Sequence, residues 1–214
     1  MKKKKETLSK IDQLFIAAQK KLATSNPSVK KMREFLKKKG GNKKEIDEIV
    51  LKLKKYQLLD EDEIIKNVIS YCDAKHYGYN KLINMLKQRE IDSSKIAKVL
   101  KDETRELRES KELLKRLKKR YKNKSTVNLK QSVYSALIRY GFDENIASIR
   151  VEEVYNLPQE ELNVLKLDFR KATRKYSSKF KGKALKDKVT NNLLSKGYKL
   201  NDIRKAETNI YEMD

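Results

Sequence analysis

Residues 137–146 read LIRYGFDENI, and the pattern in this stretch decides the fold of the chain. Leu137 precedes Gly141 by four positions. The bulky Phe142 comes next, and Ile146 follows four positions after it. Glycine ends a helix readily because it adopts a positive φ without steric cost. The bulky residue and the isoleucine are then expected to fill the angle to the next helix, so the stretch predicts two helices joined by a tight turn.

The same pattern occurs three more times along the chain. Its glycine position falls at residues 40, 90, 141 and 197, so successive copies are 50, 51 and 56 residues apart. Such regular intervals indicate an internal repeat, since chance matches would be spaced irregularly. One copy has glutamate at the glycine position. The other three copies are Leu36…Gly40-Gly41…Ile46, Leu86…Glu90-Ile91…Ile96 and Leu193…Gly197-Tyr198…Ile203.

The spacing of apolar residues along the chain is helical. Ile46, Ile49 and Leu53 recur at intervals of three and four, and no alternation is sustained over the length of a strand. The sequence predicts an all-α fold, an elongated, solenoid-like array of tandem three-helix repeats. The third helix of the second repeat is expected to continue into the next repeat, from Ser93 to about Tyr121. The four predicted repeats span residues 1–58, 59–109, 110–156 and 157–214.

The net charge of the chain indicates an anionic partner. Its 214 residues include 53 Lys and Arg against 30 Asp and Glu, which gives a formal net charge of +23. Nucleic acid, an acidic protein surface and an anionic membrane face would each match this charge. Lysine outnumbers arginine by 42 to 11, as AT-rich codon usage would give, so an inert lysine-rich surface is the plain alternative.

Several classes of protein are excluded by what the sequence lacks. It contains no run of about 18 apolar residues, so no transmembrane span is expected. The apolar stretch of residues 14–18 is too short for the core of a signal peptide. The single cysteine, Cys72, cannot form an internal disulfide. The chain is therefore expected to act in the cytoplasm, without a membrane partner.

No catalytic or metal site is predicted. Cys72 and His76 have the i, i+4 spacing of helical metal ligands, but no other cysteine or histidine is present to complete a zinc site. A nucleophile elbow and a phosphate-binding glycine loop are also missing. The carboxylates of residues 60–63 and 160–161 stand at predicted helix starts, where the helix dipole accounts for them. The sequence thus predicts neither an enzyme nor a bound cofactor.

Clusters of basic residues are the candidates for binding. Several of them flank tyrosines such as Tyr121, Tyr140 and Tyr176, and basic residues interleaved with aromatic rings suit a nucleic-acid backbone with some base stacking. The alternative is that these charges only form solvated helix faces. The candidates are Lys37, Lys38, Lys39, Lys81, Arg89, Lys115, Arg116, Lys118, Lys119, Arg120, Lys122, Arg139, Arg170 and Arg174.

Three segments resemble the RecX family, the bacterial regulators of RecA recombinase. Residues 58–64 are similar to the leucine, aspartate and glutamate residues that begin that family's second repeat. Residues 78–86 resemble a segment of that family in which a glycine is followed by a basic and then an aliphatic residue. Here these positions are Gly78, Lys81 and Leu82. Residues 140–142 are similar to its Lys-Gly-Phe. Glu90 departs from the pattern, because the family usually has glycine there.

The resemblance, which covers about residues 22–155, implies a non-enzymatic regulator in DNA repair, recombination and the SOS response. Its partner would be the filament of RecA on single-stranded DNA, with double-stranded DNA as a second candidate. The protein, expected to be a monomer, would lie in the filament groove and inhibit strand exchange, ATP hydrolysis and coprotease activity. Two alternatives stay open from the residues alone. One is a basic helical repeat that binds nucleic acid without a recombinase, and the other is a helical scaffold for an acidic protein.

Overall fold

The structure, a computed structural model, describes residues 8–211, with side chains described through residue 208. Every regular element in this range is a helix, which confirms the all-α prediction. None of the helices described is long and apolar enough to cross a bilayer. The helices are α1 Lys10–Thr24, α2 Val29–Lys38, α3 Lys43–Lys55, α4 Glu61–Lys75, α5 Tyr79–Gln88, α6 Ser93–Ile96, α7 Glu103–Arg120, α8 Thr126–Arg139, α9 Glu144–Glu152, α10 Pro158–Tyr176, α11 Gly182–Leu194 and α12 Leu200–Tyr211.

The helices form four three-helix bundles, each around its own apolar core. Bundle one contains α1–α3, bundle two α4–α6, bundle three α7–α9 and bundle four α10–α12. The chain divides into two compact units between Asp102 and Glu103, so each unit holds two bundles. The repeat boundaries drawn from the sequence stay predictions. Residues 1–7 and 212–214 of the first and last repeats lie outside the described residues.

The predicted continuous helix across residues 93–121 is wrong. α6 ends after a single turn, and α7 begins only at Glu103. The Tyr79 hydroxyl donates a hydrogen bond of 2.9 Å to the carbonyl oxygen of Val99, and so takes the acceptor that a continuing helix would use. Val99 also packs against the core of bundle two. The chain that follows α6 is thus held in a non-helical path by a residue 20 positions earlier in the sequence.

All four copies of the repeated pattern end a helix in the same way. In the third copy the Phe142 N–H donates to the Leu137 carbonyl at 3.1 Å, and the Gly141 N–H donates to the Ile138 carbonyl at 2.9 Å. This pair of bonds is the Schellman motif, which satisfies carbonyl groups left over at a helix end. The leucine of each copy is fully buried, at 0% exposure. The other three copies close the same two bonds over residues 36–41, 86–91 and 193–198.

The turn in this motif needs a residue in the left-handed region. The predicted positive φ is confirmed at all three glycines, with +88° at Gly40, +94° at Gly141 and +84° at Gly197. Glu90 holds the fourth position with a φ of +59°, where an L side chain costs about 1 kcal/mol relative to glycine. Its carboxylate pairs with the Lys30 ammonium group of bundle one at 3.1 Å. The second copy therefore combines a strained backbone with an ion pair between bundles.

Within each compact unit, a glutamate from the second bundle caps a helix of the first. Glu61, the first residue of α4, accepts a hydrogen bond of 3.0 Å from the Val29 N–H at the start of α2. Glu161, in the first turn of α10, accepts bonds of 3.0 and 2.8 Å from the N–H and hydroxyl of Thr126 at the start of α8. The first N–H groups of a helix have no partner inside it, so these carboxylates satisfy them. The two junctions are equivalent, and a pair of bundles is the larger repeating module.

Candidate nucleic-acid interface

A polar groove runs along α8 in bundle three, beside the connection from α7. Ser125 ends this connection and caps α8, its hydroxyl accepting the Asn128 N–H at 3.4 Å. Five residues of α8 recur at intervals of three and four and so share one helix face. With two residues of the connection they enclose a groove of about 460 Å³. The residues that define this polar groove are Tyr121, Lys124, Asn128, Gln131, Ser132, Ser135 and Arg139.

Lys124 is held in place inside the polar groove. Its ammonium group donates a hydrogen bond of 2.6 Å to the Ser132 hydroxyl, which donates one of 2.6 Å to the Asn128 carbonyl. The same ammonium group lies 4.8 Å from the centre of the half-buried Tyr121 ring, and the Arg120 guanidinium lies 5.7 Å from it. Cations are attracted to aromatic faces by the ring quadrupole. Two cations and an aromatic ring are thus brought together before any ligand binds.

The groups in the polar groove match the chemistry of single-stranded nucleic acid. Lys124 and Arg139 carry charged donors for phosphate oxygens. Asn128 and Gln131 carry amides that can bond to base edges, and the Tyr121 ring can stack on an unpaired base. Among the described residues, none that lines the groove carries a carboxylate. A phosphate backbone would therefore meet no like charge there.

The predicted cluster on α7 is only partly available to a ligand. The Lys115 ammonium group pairs with the Glu112 carboxylate at 2.7 Å. The Lys118 ammonium group donates to the Glu153 carbonyl at 2.8 Å and lies 5.6 Å from the centre of the Tyr155 ring. These two lysines are engaged by the protein itself. The other members are exposed and have no ion-pair partner among residues 8–208: Arg116, Lys119, Arg120 and Lys122.

Five of the predicted binding residues lie in the first compact unit. Residues 37–39 are exposed lysines at the end of α2, and the last of them lies 5.8 Å from the centre of the Phe35 ring. Lys81 is half-buried, 5.8 Å from the centre of the Tyr77 ring, and Arg89 is exposed at the end of α5. None of these residues lines the groove between the two bundles of this unit. The structure therefore does not bring them into one site.

Bundle four has a second basic surface, at the turn from α10 to α11. Residues 170–188 contain nine Lys and Arg and a single Asp. Within them the rings of Tyr176 and Phe180 meet edge to face, with centroids 6.4 Å apart, and the Lys188 ammonium group lies 5.5 Å from the Phe180 centre. This surface has the cations and aromatic rings of a nucleic-acid contact. None of its residues lines the polar groove of bundle three. The two predicted arginines exposed on it are Arg170 and Arg174.

Sequence reasoning missed the lysine that organises the polar groove. Lys124 stands apart from the basic run that ends at Lys122, so charge clustering did not identify it. Its spacing of three from Tyr121 is the signal that could have done so, because cation and ring then fall within one turn. Arg139 was predicted, and the structure places it in the same groove as Lys124.

Cys72 and His76 have positions that suit folding rather than metal binding. Cys72 is buried, with its sulfur 3.9 Å from the sulfur of Met85. His76 ends α4 with a φ of +55°, the left-handed conformation of a helix terminus. In the part of the chain that the structure describes, no group of three or more His, Cys, Asp and Glu could hold a metal ion.

Comparisons with known proteins find relatives among bacterial regulatory proteins. No protein-family model matches it. Regulatory protein RecX of Bacillus pumilus is 30% identical over 183 residues, which cover 82% of this chain and 68% of that protein. Regulatory protein RecX of Oceanobacillus iheyensis is 27% identical over 177 residues, 80% of this chain and 65% of that protein. The chain thus spans about two thirds of the length of these curated relatives.

One solved structure shares the fold. The crystal structure of RecX from Lactobacillus salivarius superposes with a TM-score of 0.58 at 20% identity. The match covers 67% of this chain and 95% of that one. At this identity the similarity concerns the arrangement of helices alone.

Proposed function

The chain belongs to the RecX family of regulatory proteins, and from this we propose that it regulates the RecA recombinase. In this proposal it binds the filament that RecA forms on single-stranded DNA and lies in the filament groove. There it inhibits strand exchange, ATP hydrolysis and coprotease activity. It acts by binding, without a reaction of its own.

The polar groove of bundle three is the observation that carries this proposal. A regulator that binds the assembled filament gains affinity for it if it contacts the single strand as well as the recombinase. The Tyr121 ring beside Lys124 and Arg139 offers stacking and phosphate contacts without selecting a base sequence. Such a site would allow binding wherever a filament has formed.

Several basic surfaces on one chain further support a polymeric partner. The polar groove and the turn between α10 and α11 are separate contacts in the same compact unit. Linked contacts that are individually weak add through effective concentration. A filament repeats the same surfaces along its length, so it can engage more than one contact at once.

The test is the ATPase activity of RecA on single-stranded DNA, measured against increasing amounts of the protein. Inhibition well below one copy per recombinase protomer supports filament binding, because a free competitor would need at least equal amounts. Lys124→Gln with Arg139→Gln should weaken inhibition, whereas the exposed pair Lys199→Gln with Lys205→Gln is the matched control. Inhibition that needs stoichiometric protein, or that both double variants weaken equally, contradicts the proposal.

A nucleic-acid-binding protein without a recombinase partner is the second candidate, because the polar groove would bind a single strand by itself. Binding of this kind should fall steeply with salt whether or not RecA is present, since phosphate contacts release counterions. Binding that persists at high salt only when RecA is present favours the filament regulator.

A further inference from the structure

The junction between bundles one and two contains a groove of about 1120 Å³ that the proposed function does not use. We call it the junction groove, and its walls come from α2, α5 and α6, with Lys54 of α3 and Glu61 of α4 completing the lining. The Lys31 ammonium group of bundle one donates to the Gln88 carbonyl of bundle two at 3.0 Å. Together with the bond from Val29 to Glu61, this ties the two bundles at the edge of the groove. The groove is therefore formed before a partner arrives, as binding sites usually are.

The junction groove has an apolar strip along its floor. Val29, Ile83 and Ile96 are half-buried there, and Ile91 beside them is buried. Apolar surface left partly exposed in a groove gains by being covered. A ligand that fits the groove must then bring apolar groups of its own.

Cations dominate the rim of the junction groove. Five lysine and arginine side chains line it against three carboxylates. Three of the cations are paired within the chain, Lys30 with Glu90, Arg33 with Asp47 and Lys95 with Asp62. Lys54 and Lys87 are exposed and have no ion-pair partner among residues 8–208, so they are the two cations left for a ligand. The five cations are Lys30, Arg33, Lys54, Lys87 and Lys95.

The three carboxylates of the junction groove are already engaged by the chain. Glu61 accepts the Val29 N–H, and Glu90 pairs with Lys30. Asp92 caps α6 by accepting the Ser94 N–H at 2.8 Å. The cations without partners can therefore attract an anionic ligand, while the fixed carboxylates restrict where its charges can lie.

This combination favours a protein ligand over nucleic acid. The polar groove of bundle three has no carboxylate and no aliphatic floor, whereas the junction groove has both. A nucleic-acid strand carries a charge at every nucleotide, so it would meet the three carboxylates and leave the apolar strip uncovered. A peptide can place apolar side chains on the strip and carboxylates beside Lys54 and Lys87.

We propose that the junction groove is a docking site for an acidic segment of another protein, with apolar side chains at helical spacing. Such a segment lays its apolar face in the groove and its carboxylates against the rim, as amphipathic helices do in grooves of this kind. The site shares no residue with the polar groove. It stands whether or not the chain regulates a recombinase.

The test measures fluorescence anisotropy of labelled probes with the full chain. The first probe is a peptide of about 15 residues with leucines at i, i+3, i+4 and i+7, glutamates on both flanks and alanine elsewhere. The second keeps every glutamate and replaces the leucines with serine. The third is an oligothymidylate of similar length. Lys54→Glu with Lys87→Glu is the test variant, and Lys20→Glu with Lys44→Glu, both exposed and outside the groove, is its matched control.

The proposal expects the leucine peptide to bind more tightly than the serine peptide. The test variant should weaken that binding by about tenfold or more, since two rim charges are reversed, while the control variant changes it little. Thermal melts followed by circular dichroism establish that both variants fold. No binding of the leucine peptide, equal binding of the two peptides, or equal losses in both variants overturns the proposal. A loss of oligothymidylate binding confined to the test variant also overturns it, because the groove would then hold nucleic acid.

Discussion

Gly197 packs directly against Val127, so that a Cβ atom placed on the glycine would lie 2.5 Å from the Cβ of the valine. No two non-bonded carbon atoms approach so closely. Val127 is the second residue after the cap of α8, and in the first unit Lys30 is likewise the second residue after the cap of α2. Lys30 meets Glu90, the counterpart of Gly197, through an ion pair. The first junction therefore holds an ion pair at the position where the second holds a close contact that leaves no room for a side chain.

Replacing Gly197 with alanine should destabilise the protein by about 2–4 kcal/mol, because left-handed strain adds to the clash with Val127. Gly40→Ala is a matched control, since Gly40 has a similar φ of +88° but open space around its Cβ position. That variant should lose only about 1 kcal/mol. Urea denaturation measures both. Equal losses would show that the contact with Val127 has no energetic role.

Replacing Glu90 with glycine should stabilise bundle two by about 0.5 kcal/mol, because the left-handed strain disappears. The variant also loses the ion pair with Lys30, but the lysine of that pair is exposed and its glutamate partly so, and the pair should therefore contribute less than the backbone. Denaturation at low and high salt separates the two contributions. A variant less stable than the parent at both salt concentrations contradicts this account.

The stability of bundle four should fall at alkaline pH. Burial, and then the neighbouring Asp168 carboxylate, raise the pKa of the Tyr198 phenol above its ordinary value of 10.0. The unfolded chain then loses this proton first, so the stabilisation is present below about pH 10 and is lost as the pH rises above it. Tyr198→Phe removes the titrating group together with the 3.0 Å bond to Asp168.

The Tyr198→Phe variant supplies the comparison for that pH dependence. It should be about 1 kcal/mol less stable than the parent near pH 8, where the hydrogen bond is lost. The difference should shrink between pH 10 and 11, because only the parent is penalised there. Urea denaturation at both pH values is the measurement. A constant difference would exclude titration of Tyr198 as the cause.

Lys124→Gln with Arg139→Gln should weaken binding to single-stranded DNA and flatten its salt dependence. Two lost phosphate contacts should reduce the slope of log K against log salt by about 1.4 for a single strand. Fluorescence anisotropy over a range of salt concentrations gives the slope. If the variant and the parent give the same slope, Lys124 and Arg139 do not contact phosphates.

Tyr121→Leu should cost about 1–3 kcal/mol of binding to oligothymidylate, because the stacking surface is lost. Tyr121→Phe keeps the ring and should bind like the parent. Because Tyr121 also packs against the core of bundle three, melting curves are needed for both variants. If the leucine and phenylalanine variants bind equally, the ring does not stack on a base.

Features set by neighbouring residues could be predicted from the sequence, and features set by distant contacts could not. The four helix ends were predictable because the Schellman motif joins residues at most five positions apart, as in Leu137 and Phe142. The break between α6 and α7 was not predictable, because the contact between Tyr79 and Val99 that fixes the chain there joins residues 20 positions apart.

The candidate site divides in the same way. Basic runs and Arg139 were visible in the sequence, but the position of Lys124 against Ser132 follows from the path of the chain into α8. From the sequence alone, the dipole of their own helix accounts for the acidic residues at the helix starts. Glu61 and Glu161 instead cap a helix of the preceding bundle, which only the packing of two bundles reveals.

The glutamate caps have a consequence for how such a chain can evolve. Glu161 follows Glu61 by 100 positions, twice the interval of the sequence pattern. Loss of the second bundle of a unit would leave a helix start in the first bundle without its acceptor, as a truncation at Asn156 would do to Thr126. Duplication or loss of a whole pair leaves every cap intact. The caps therefore couple the two bundles of each compact unit, so that a change in the number of bundles keeps every helix start satisfied only where it keeps these pairs together.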